Sequence, residues 1–313
     1  MQLSRRQEFE LLTAIKGRGE IPLKFAYIGE GAANWNRVAR QRDEFGGVNR
    51  VERALLSQKA SAFIDALPHG MKINVIDVGC GNGRPCIPIL RELTDRNILF
   101  RYIPIDISQR LLDLAENTVH EEFPGTETKK MEIDFELGNF SDLVYELKDD
   151  RSVNLLLFLG TTLGNFSDRT RILSNFRDSM TATDFLLIGV ELTNVTKHAK
   201  LVRHYEEQNA TDFLRFVPDE IGISQTDATL DVQWNDGTGE IEIRIILNRD
   251  ISASIGSEVV PLEIGESILL AKSAKFNQWS ITKLLSTVGF RLEYLTTNAD
   301  ISYALAMVQS TRL

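Results

Sequence analysis

The stretch NVIDVGCGNG (74–83) constrains the fold of this chain more than any other, because three glycines closely follow an apolar run. Val75, Ile76 and Val78 have the character of a buried strand. Apolar residues at helical spacing come after the glycines, namely Ile87, Ile89, Leu90 and Leu93. A strand, a glycine turn and a helix in this order predict the ligand-binding end of a βαβ unit.

Strands and helices alternate through residues 71–191 and predict a parallel, doubly wound sheet. The predicted strands are 73–78, 100–105, 132–137, 153–158 and 184–190, and the predicted helices are 86–95, 108–118 and 168–178. After a helix at 277–288, two closely spaced strands at 290–296 and 302–308 should pair as a hairpin. This hairpin would add an antiparallel last strand to the sheet.

The expected organisation has four segments: a broken helical N-terminal segment (1–70), an α/β domain (71–191), an inserted α+β subdomain (192–276) and the end of the α/β domain (277–313). The insertion combines a polar helix with alternating strands, at 197–216, 240–247, 258–261 and 267–272. The predicted fold class is therefore α/β and Rossmann-like, with an antiparallel last strand and an inserted α+β subdomain.

The composition disfavours several classes of function. The formal net charge of −9 argues against a nucleic-acid partner, which would need a basic face. No apolar run reaches the ~18 residues of a membrane span, and the charged N-terminus is unlike a signal peptide. Cys80 and Cys86 fall in one βα segment, so we expect reduced thiols in a cytoplasmic protein. The four histidines lack metal-ligand spacing, so we expect no metal.

The glycine turn and the end of the next strand indicate the kind of cofactor. Gly79, Gly81 and Gly83 are followed by Arg84, at the position where a dinucleotide fingerprint has its third glycine. This substitution disfavours NAD and favours a cofactor without a pyrophosphate. Asp106, at the end of the second predicted strand, can accept hydrogen bonds from both hydroxyls of a ribose.

A third motif, FELGNFSDL (135–143), is expected to place Asn139 and Phe140 at the end of the third strand. There an amide can meet the edge of an adenine and an aromatic ring can flank its face. The three motifs in this order are typical of S-adenosylmethionine (SAM) methyltransferases, whose product from the cofactor is S-adenosylhomocysteine. The alternative is a tight turn followed by a strand-end aspartate without a special role.

The segment LFLGTTLGNF (157–166) resembles the signature LGSTIGNF of the histidine-specific SAM-dependent methyltransferases. Other segments resemble further motifs of that family in the same order: PLKFAY (22–27), YIPIDIS (102–108), LVRHYEE (201–207) and KSAKF (272–276). The family includes histidine Nα-methyltransferases of ergothioneine biosynthesis and fungal dimethylallyltryptophan N-methyltransferases. The resemblance covers nearly the whole chain and implies a class I methyltransferase fold with SAM as cofactor.

The resemblance also implies roles for individual residues. Asn165 would bind the backbone groups of an amino-acid substrate, because an amide donates to a carboxylate and accepts from an amine; the alternative is a helix cap. Tyr205 would bind the substrate carboxylate, unless it is an ordinary half-buried helix residue, and Tyr27 would lie near the reacting nitrogen. Ile107 and Gly160 join the residues that we expect to contact the cofactor.

Several departures from the family motifs concern the substrate side chain. Aligning KSAKF on Ser273 puts Ala271 where histidine-methylating members have a glutamate that pairs with the imidazole. The loss of that charge-assisted hydrogen bond would cost ~1.5–3 kcal/mol. Ile243 replaces a family methionine, and Phe45 and Gly46 replace paired tyrosines. The expected substrate contacts are Phe45, Asn165, Tyr205, Ile243, Ala271 and Ser273.

On the cofactor side, Asn139 replaces an acidic residue and Pro85 replaces a lysine. The predicted activity is SAM-dependent N-methylation of the α-amine of a small amino acid or a derivative, other than histidine, with an aromatic or alkyl side chain favoured. No strong general base is evident, and Glu206, Glu207 and Tyr27 are candidates. The alternatives are methylation of a small amine, alkaloid or guanidine, a catalytically silent SAM-binding module and, more distantly, a nucleotide oxidoreductase.

Overall fold

The computed structural model of the protein describes residues 2–45, 47–193, 198–207 and 211–311. The chain divides into two compact units. The central unit comprises Gln41–Asn194 and Lys275–Leu313, and the accessory unit comprises Met1–Arg40 and Val195–Ala274. The segment boundaries predicted at 70, 191 and 276 stay predictions.

The described residues form twelve strands and ten α-helices. The strands are β1 (Lys72–Val78), β2 (Phe100–Asp106), β3 (Met131–Glu132), β4 (Ser152–Phe158), β5 (Phe185–Glu191), β6 (Ala228–Asn235), β7 (Glu240–Leu247), β8 (Ile251–Ile255), β9 (Glu258–Leu262), β10 (Ser267–Ala274), β11 (Phe290–Thr297) and β12 (Tyr303–Ser310). The helices are α1 (Arg5–Arg18), α2 (Glu30–Phe45), α3 (Val48–Asp65), α4 (Ile87–Asp95), α5 (Gln109–Glu122), α6 (Ser141–Leu147), α7 (Arg169–Ser179), α8 (His198–Glu207), α9 (Thr211–Glu220) and α10 (Gln278–Val288). Of these described helices, none has the length and apolar character that a membrane crossing requires.

The central unit is built on a mixed sheet with the strand order β11-β12-β5-β4-β1-β2-β3. The pairs β1–β2, β1–β4, β4–β5 and β2–β3 are parallel, whereas β12 runs antiparallel to both β5 and β11. Every residue of β4 is buried, as expected for an interior strand of a parallel sheet with both faces covered. The predicted Rossmann-like sheet with an antiparallel last strand is confirmed.

The third strand differs from its prediction. It has only two residues, whereas the sequence predicted a strand over 132–137. The Phe135 ring instead packs against Phe158, with 5.8 Å between the ring centroids, and this packing competes with further pairing along β2. Asn139 and Phe140 were expected at the end of the strand, but they lie well beyond it and immediately before α6.

Helix ends in both units follow capping signals in the sequence. α1 begins after Ser4, whose side chain accepts a hydrogen bond from the Gln7 N–H, and ends at Gly19. α10 begins after Asn277, which makes a similar reciprocal cap, and ends at Gly289 as the sequence predicted. Gly289 has a φ of 93°, a left-handed conformation that favours glycine because it has no Cβ.

The accessory unit contains an antiparallel sheet, β10-β7-β6, and a β8–β9 hairpin. The strands predicted at 240–247, 258–261 and 267–272 correspond to β7, β9 and β10. The single helix predicted at 197–216 is instead α8 and α9, with residues 208–210 outside the described part of the chain. Alternate residues of β7 pack into the apolar core of this unit: Ile241, Ile243, Ile245 and Leu247.

Candidate active site

The glycine turn joins β1 to α4 in a backbone conformation that residues with side chains rarely adopt. Gly79, Gly81 and Gly83 have φ angles of 68°, 56° and 73°. At Gly83 a Cβ would lie 2.9 Å from the Cα of Ala115 in α5, so only glycine fits this close approach. Gly83 thus provides the close helix packing that a dinucleotide fingerprint assigns to the position of Arg84.

Asp106 lies at the end of β2, beside the glycine turn. It is 6% exposed, and its carboxylate accepts hydrogen bonds from the N–H groups of Gly81 and Ser108, both at 3.1 Å. Burial raises the pKa of Asp106 to about 7, and the backbone N–H donors oppose this shift. The Cys80 thiol also donates to Asp106, at 4.0 Å. An ionised carboxylate has about four lone-pair positions, so one remains for a donor such as a ribose hydroxyl. The following residue, Ile107, is half-buried.

Both cysteines of this segment are free and buried. Burial raises the pKa of the Cys80 and Cys86 thiols well above the usual range, so neither thiol is a good nucleophile at neutral pH. In the same region Asp77 of β1 accepts a hydrogen bond from the Tyr102 hydroxyl at 2.8 Å, and burial raises the pKa of Asp77 to about 6. These groups therefore have a structural role beside the turn.

Two arginines share one carboxylate next to the glycine turn. A carboxylate oxygen of Asp43 lies 3.0 Å from Arg53, and the other lies 3.1 Å from Arg84. One negative charge between two guanidinium groups leaves a local net positive charge, and the Arg84 side chain is 41% exposed. The guanidinium of Arg84 can therefore bind a carboxylate ligand. Arg84 directly precedes Pro85, the residue that replaces the family lysine.

The third cofactor motif has a different environment from the one expected. Asn139 is exposed, and its side-chain oxygen accepts a hydrogen bond from the Ser141 hydroxyl at 3.0 Å. The Phe140 ring is only 3% exposed and lies 5.4 Å, between centroids, from Phe176 of α7. Phe140 is thus a core residue with little surface for a ligand, because its ring packs under α7. Contacts of Asn139 and Phe140 with adenine stay predictions.

The turn after β4 is held by a buried glutamate. Glu52 of α3 is 1% exposed, and its two carboxylate oxygens lie 3.1 and 2.9 Å from the Gly160 nitrogen. The Tyr303 hydroxyl of β12 also hydrogen-bonds Glu52. Burial raises the pKa of Glu52 to about 7, and the hydrogen bonds from Tyr303 and Gly160 oppose the shift. Because the protein itself occupies the Gly160 N–H, the predicted cofactor contact of Gly160 would have to use its carbonyl or Cα.

Neither Glu52 nor Tyr303 is marked by a motif in the sequence. The signal available for Glu52 is its spacing, three and four residues before Leu55 and Leu56 on the buried face of α3. A carboxylate at such a position is rarely buried without hydrogen-bond partners. Tyr303 has no comparable signal, because its partner is 251 positions away in the chain.

Asn165 ends a short 3-10 helix, Thr162–Asn165, and is half-buried. The alternative that Asn165 caps the next helix is wrong, because Asp168 caps α7 by accepting from the Arg171 N–H at 2.9 Å. Within the described part of the chain, the Asn165 side chain has no hydrogen-bond partner. The amide is therefore available for a ligand.

The accessory unit contains most of the predicted substrate residues. The Tyr205 hydroxyl of α8 donates to the Ser273 Oγ of β10 at 2.9 Å. Ala271 of β10 and Ile243 of β7 are direct cross-strand neighbours, 8% and 7% exposed. Apolar residues of β6 and β7 continue this face of the sheet: Val232, Trp234, Ile241 and Ile245. The Tyr205–Ser273 pair thus adjoins an apolar wall that is itself buried in the core of the unit, and contacts of Ala271 and Ile243 with a substrate stay predictions.

Tyr27, the other predicted residue of this unit, ends a 3-10 helix and is half-buried. Its ring lies 6.1 Å from the Trp35 ring and 5.2 Å from the Phe213 ring, so it belongs to an aromatic cluster. The side chain of Phe45 and the whole of Gly46 lie outside the described residues. The substrate contact of Phe45 therefore stays a prediction.

The fold and the glycine turn together define the class of this protein. A glycine turn, a strand-end aspartate and a Rossmann-like sheet with an antiparallel last strand are features of a class I SAM-dependent methyltransferase. The chain belongs to the family of histidine-specific, SAM-dependent methyltransferases, whose profile matches residues 7–310.

The chain is also similar to individual proteins. The chain is 24% identical over 304 residues to the histidine N-alpha-methyltransferase of Mycolicibacterium smegmatis, covering 92% of this chain and 89% of that protein. It is 21% identical over 320 aligned positions to the N-methyltransferase imqF of Aspergillus flavus, covering 96% and 84%. A solved structure of a SAM-dependent methyltransferase from Clostridium acetobutylicum has a TM-score of 0.47 and 10% identity, covering 89% of this chain and 99% of that one.

Proposed function

We propose that the protein transfers the methyl group of SAM to the α-amine of a small amino acid, or a derivative of one, other than histidine. The observation that carries this proposal is the Tyr205–Ser273 pair beside the wall of Ala271 and Ile243. The hydroxyl pair offers polar contacts for an amino-acid head group, whereas the wall offers no polar contact for a side chain. The small-molecule substrate is the proposed partner, and a cytoplasmic location stays a prediction from the sequence.

The residues at the glycine turn fit SAM as the cofactor. Asp106 retains a lone pair for a ribose hydroxyl, and the exposed guanidinium of Arg84 suits the carboxylate of the methionyl group. Asn139 is exposed, as an adenine contact requires. Bound SAM supplies an electrophilic methyl group on a sulfonium sulfur.

The residues proposed to contact the head group of the substrate are those that the family resemblance indicates, each judged by its surroundings in its own unit. In the central unit, the Asn165 amide can donate to the carboxylate and accept from the amine. In the accessory unit, the Tyr205 hydroxyl can turn from Ser273 to a carboxylate oxygen. Tyr27 is proposed to contact the region of the amine. Holding the head group restricts the orientation of the amine, and such positioning is the main contribution of a protein to a displacement reaction.

The reaction needs the neutral amine, because a protonated amine has no lone pair for attack. Glu206, one candidate base, is exposed, and the side chain of Glu207 lies outside the described residues. We propose that the amine loses its proton to water rather than to a buried carboxylate. The rate of transfer should then rise with pH through the pKa of the amine.

Histidine is a poor fit to the wall of the accessory unit. An imidazole N–H facing Ala271 would be left without a partner, at a cost of ~1–3 kcal/mol. The nearest carboxylate in the register of β7 is Glu242, which alternates to the other face of the sheet and accepts hydrogen bonds from Asn235 at 2.8 Å and Arg244 at 2.9 Å. Glu242 therefore does not replace the family glutamate.

A transfer assay with isotopically labelled methyl groups on SAM tests this proposal. One reaction contains the pooled proteinogenic amino acids, a second contains small amines and guanidines without a carboxylate, and mass spectrometry locates the label. We expect label on the α-nitrogen of an amino acid with an aromatic or alkyl side chain. Label only in the second pool would contradict the proposal, and SAM binding with no transfer in either would indicate a silent SAM-binding module.

A further inference from the structure

We propose that Glu52 and Tyr303 form an internal clamp on the turn after β4 and act as positioning residues for Asn165. The clamp consists of these two side chains and the backbone N–H of Gly160. The inference rests on the proposed function in one respect, the substrate role of Asn165. The existence of the clamp does not depend on that role.

The first support is a set of hydrogen bonds that converge on one carboxylate. Glu52 accepts from the Gly160 N–H, with oxygen–nitrogen distances of 3.1 and 2.9 Å. The Tyr303 hydroxyl donates to the Glu52 Oε2, which also accepts from Gly160. One carboxylate thus joins the backbone of the turn to the last strand.

The second support is the backbone conformation of the turn. Gly160 has a φ of 72° and Thr161 a φ of 60°, so both residues are in the left-handed region. A left-handed conformation is unfavourable for threonine, a β-branched residue, and persists only where surrounding contacts enforce it. The clamp provides those contacts, and the 3-10 helix that ends at Asn165 begins at the next residue, Thr162.

The third support is the fit of the clamp against β5. A Cβ added at Gly189 would lie 2.3 Å from both the Glu52 Oε2 and the Tyr303 hydroxyl oxygen. Only glycine at this position leaves space for the two side chains to meet. α3, β5 and β12 therefore all contribute to the arrangement.

The fourth support is the environment of the carboxylate. Glu52 is 1% exposed, and no lysine or arginine of the described residues lies within ion-pair distance of it, since Arg53 pairs with Asp43 instead. A buried carboxylate without a cation is unfavourable unless hydrogen bonds satisfy it. Here those hydrogen bonds come from the turn and from Tyr303, so the glutamate and the turn depend on each other.

The test measures backbone hydrogen exchange in peptides spanning residues 157–166 for the full chain and its variants. Glu52→Ala removes the clamp, and Tyr303→Phe removes the hydroxyl alone. Glu52→Gln keeps one oxygen that can accept from both the Gly160 N–H and the Tyr303 hydroxyl, as the Glu52 Oε2 does. Tyr102→Phe is the matched control, because it removes another buried tyrosine–carboxylate hydrogen bond, to Asp77, in which neither Gly160 nor Glu52 takes part. Transfer from labelled SAM to the pooled amino acids is measured on the same samples.

We expect Glu52→Ala to speed exchange in this segment at least thirtyfold and to lower transfer at least tenfold at saturating SAM. In Glu52→Gln, the exchange rate and the transfer rate should both lie within threefold of the wild type. Tyr102→Phe should leave the exchange rate of the segment unchanged even if it lowers the Tm. If Glu52→Ala does not fold, the comparison is between the other two variants. Tyr303→Phe should speed exchange in the segment at least tenfold, whereas Glu52→Gln should not.

If the segment exchanges as slowly in Glu52→Ala and Tyr303→Phe as in the wild type, the clamp is overturned. It is also overturned if Tyr102→Phe speeds exchange in the segment as much as these two variants do. Faster exchange with unchanged transfer would overturn the positioning role. A wild-type protein that transfers no methyl group would contradict the proposed function, whereas the exchange results would still decide on the clamp.

Discussion

Binding of SAM should depend on pH near neutrality, because Asp106 titrates there. Burial raises its pKa from 3.8 to about 7. Ribose hydroxyls donate to the ionised carboxylate, so SAM should bind the ionised form and lower this pKa. One pH unit below the pKa, about one-tenth of the carboxyl groups are ionised, so the Kd for SAM should rise about tenfold between pH 8 and pH 6.

Replacing Asp106 with asparagine should remove this pH dependence and weaken binding at pH 8. A hydrogen bond to a charged group contributes ~1.5–3 kcal/mol, so the loss of one is enough to weaken binding about tenfold or more. Calorimetric titration of SAM into the wild type and Asp106→Asn at pH 6, 7 and 8 measures both effects, and the variant also corrects for titration of SAM itself. Asp77→Asn is the matched control, since Asp77 is a buried carboxylate bonded to Tyr102. Unchanged affinity in Asp106→Asn, or an unchanged pH slope, would refute the assignment of Asp106 to the ribose.

Three further predictions follow from the site. Asn165→Ala should lower kcat/KM at least tenfold with little change in SAM affinity. Asp168→Ala, which removes the cap of α7, should lower only the Tm. Similar losses of SAM affinity and kcat/KM in Asn165→Ala would contradict the substrate role. Arg84→Ala should weaken SAM at least tenfold but not methylthioadenosine, which lacks the carboxylate, as calorimetry would show; equal weakening would exclude a carboxylate contact. The buried carboxyl groups with raised pKa values are Glu52, Asp77 and Asp106. Their contribution to stability is complete below the pKa values of the unfolded chain, near 4, and is lost as pH rises through 6 to 7. The free energy of unfolding should therefore fall from pH 5 to pH 8, by up to ~1.4 kcal/mol per pH unit for each titrating group. An increase in this free energy, measured by denaturant titration, would contradict the prediction.

The parts of the fold that the sequence predicted are those that local patterns determine. Most residues of β1 and β4 are apolar because both faces of a parallel sheet are covered, and this pattern is visible in the sequence. The glycine turn is visible because its φ angles require glycine. The Tyr205–Ser273 contact joins residues far apart in the chain and was not predicted, because the family motifs gave each residue only a separate substrate role.

The parts that the sequence did not predict depend on packing between distant residues. β3 stops early because Phe135 enters an aromatic cluster with Phe158, which no local pattern reveals. Phe140 has the sequence context of a ligand contact, but its ring packs on Phe176. The Glu52–Tyr303 bond links α3 to the last strand across 251 positions, so neither residue is recognisable from its neighbours alone.

The central claim is that an apolar wall in the accessory unit directs methyl transfer to an amino acid other than histidine. Its direct test is a competition among histidine, tryptophan, tyrosine and leucine at equal concentrations, with the wild type, Ala271→Glu and the uncharged control Ala271→Gln. A carboxylate at position 271 would give an imidazole N–H a charge-assisted hydrogen bond, worth ~1.5–3 kcal/mol, or about tenfold or more in relative kcat/KM.

The ratio of methylated products, read by mass spectrometry, decides the claim. The wild type should give mainly a methylated aromatic or alkyl amino acid, and Ala271→Glu should raise the share of methylated histidine about tenfold, well above the change in Ala271→Gln. Efficient methylation of histidine by the wild type, at the expense of the other three amino acids, would contradict the account.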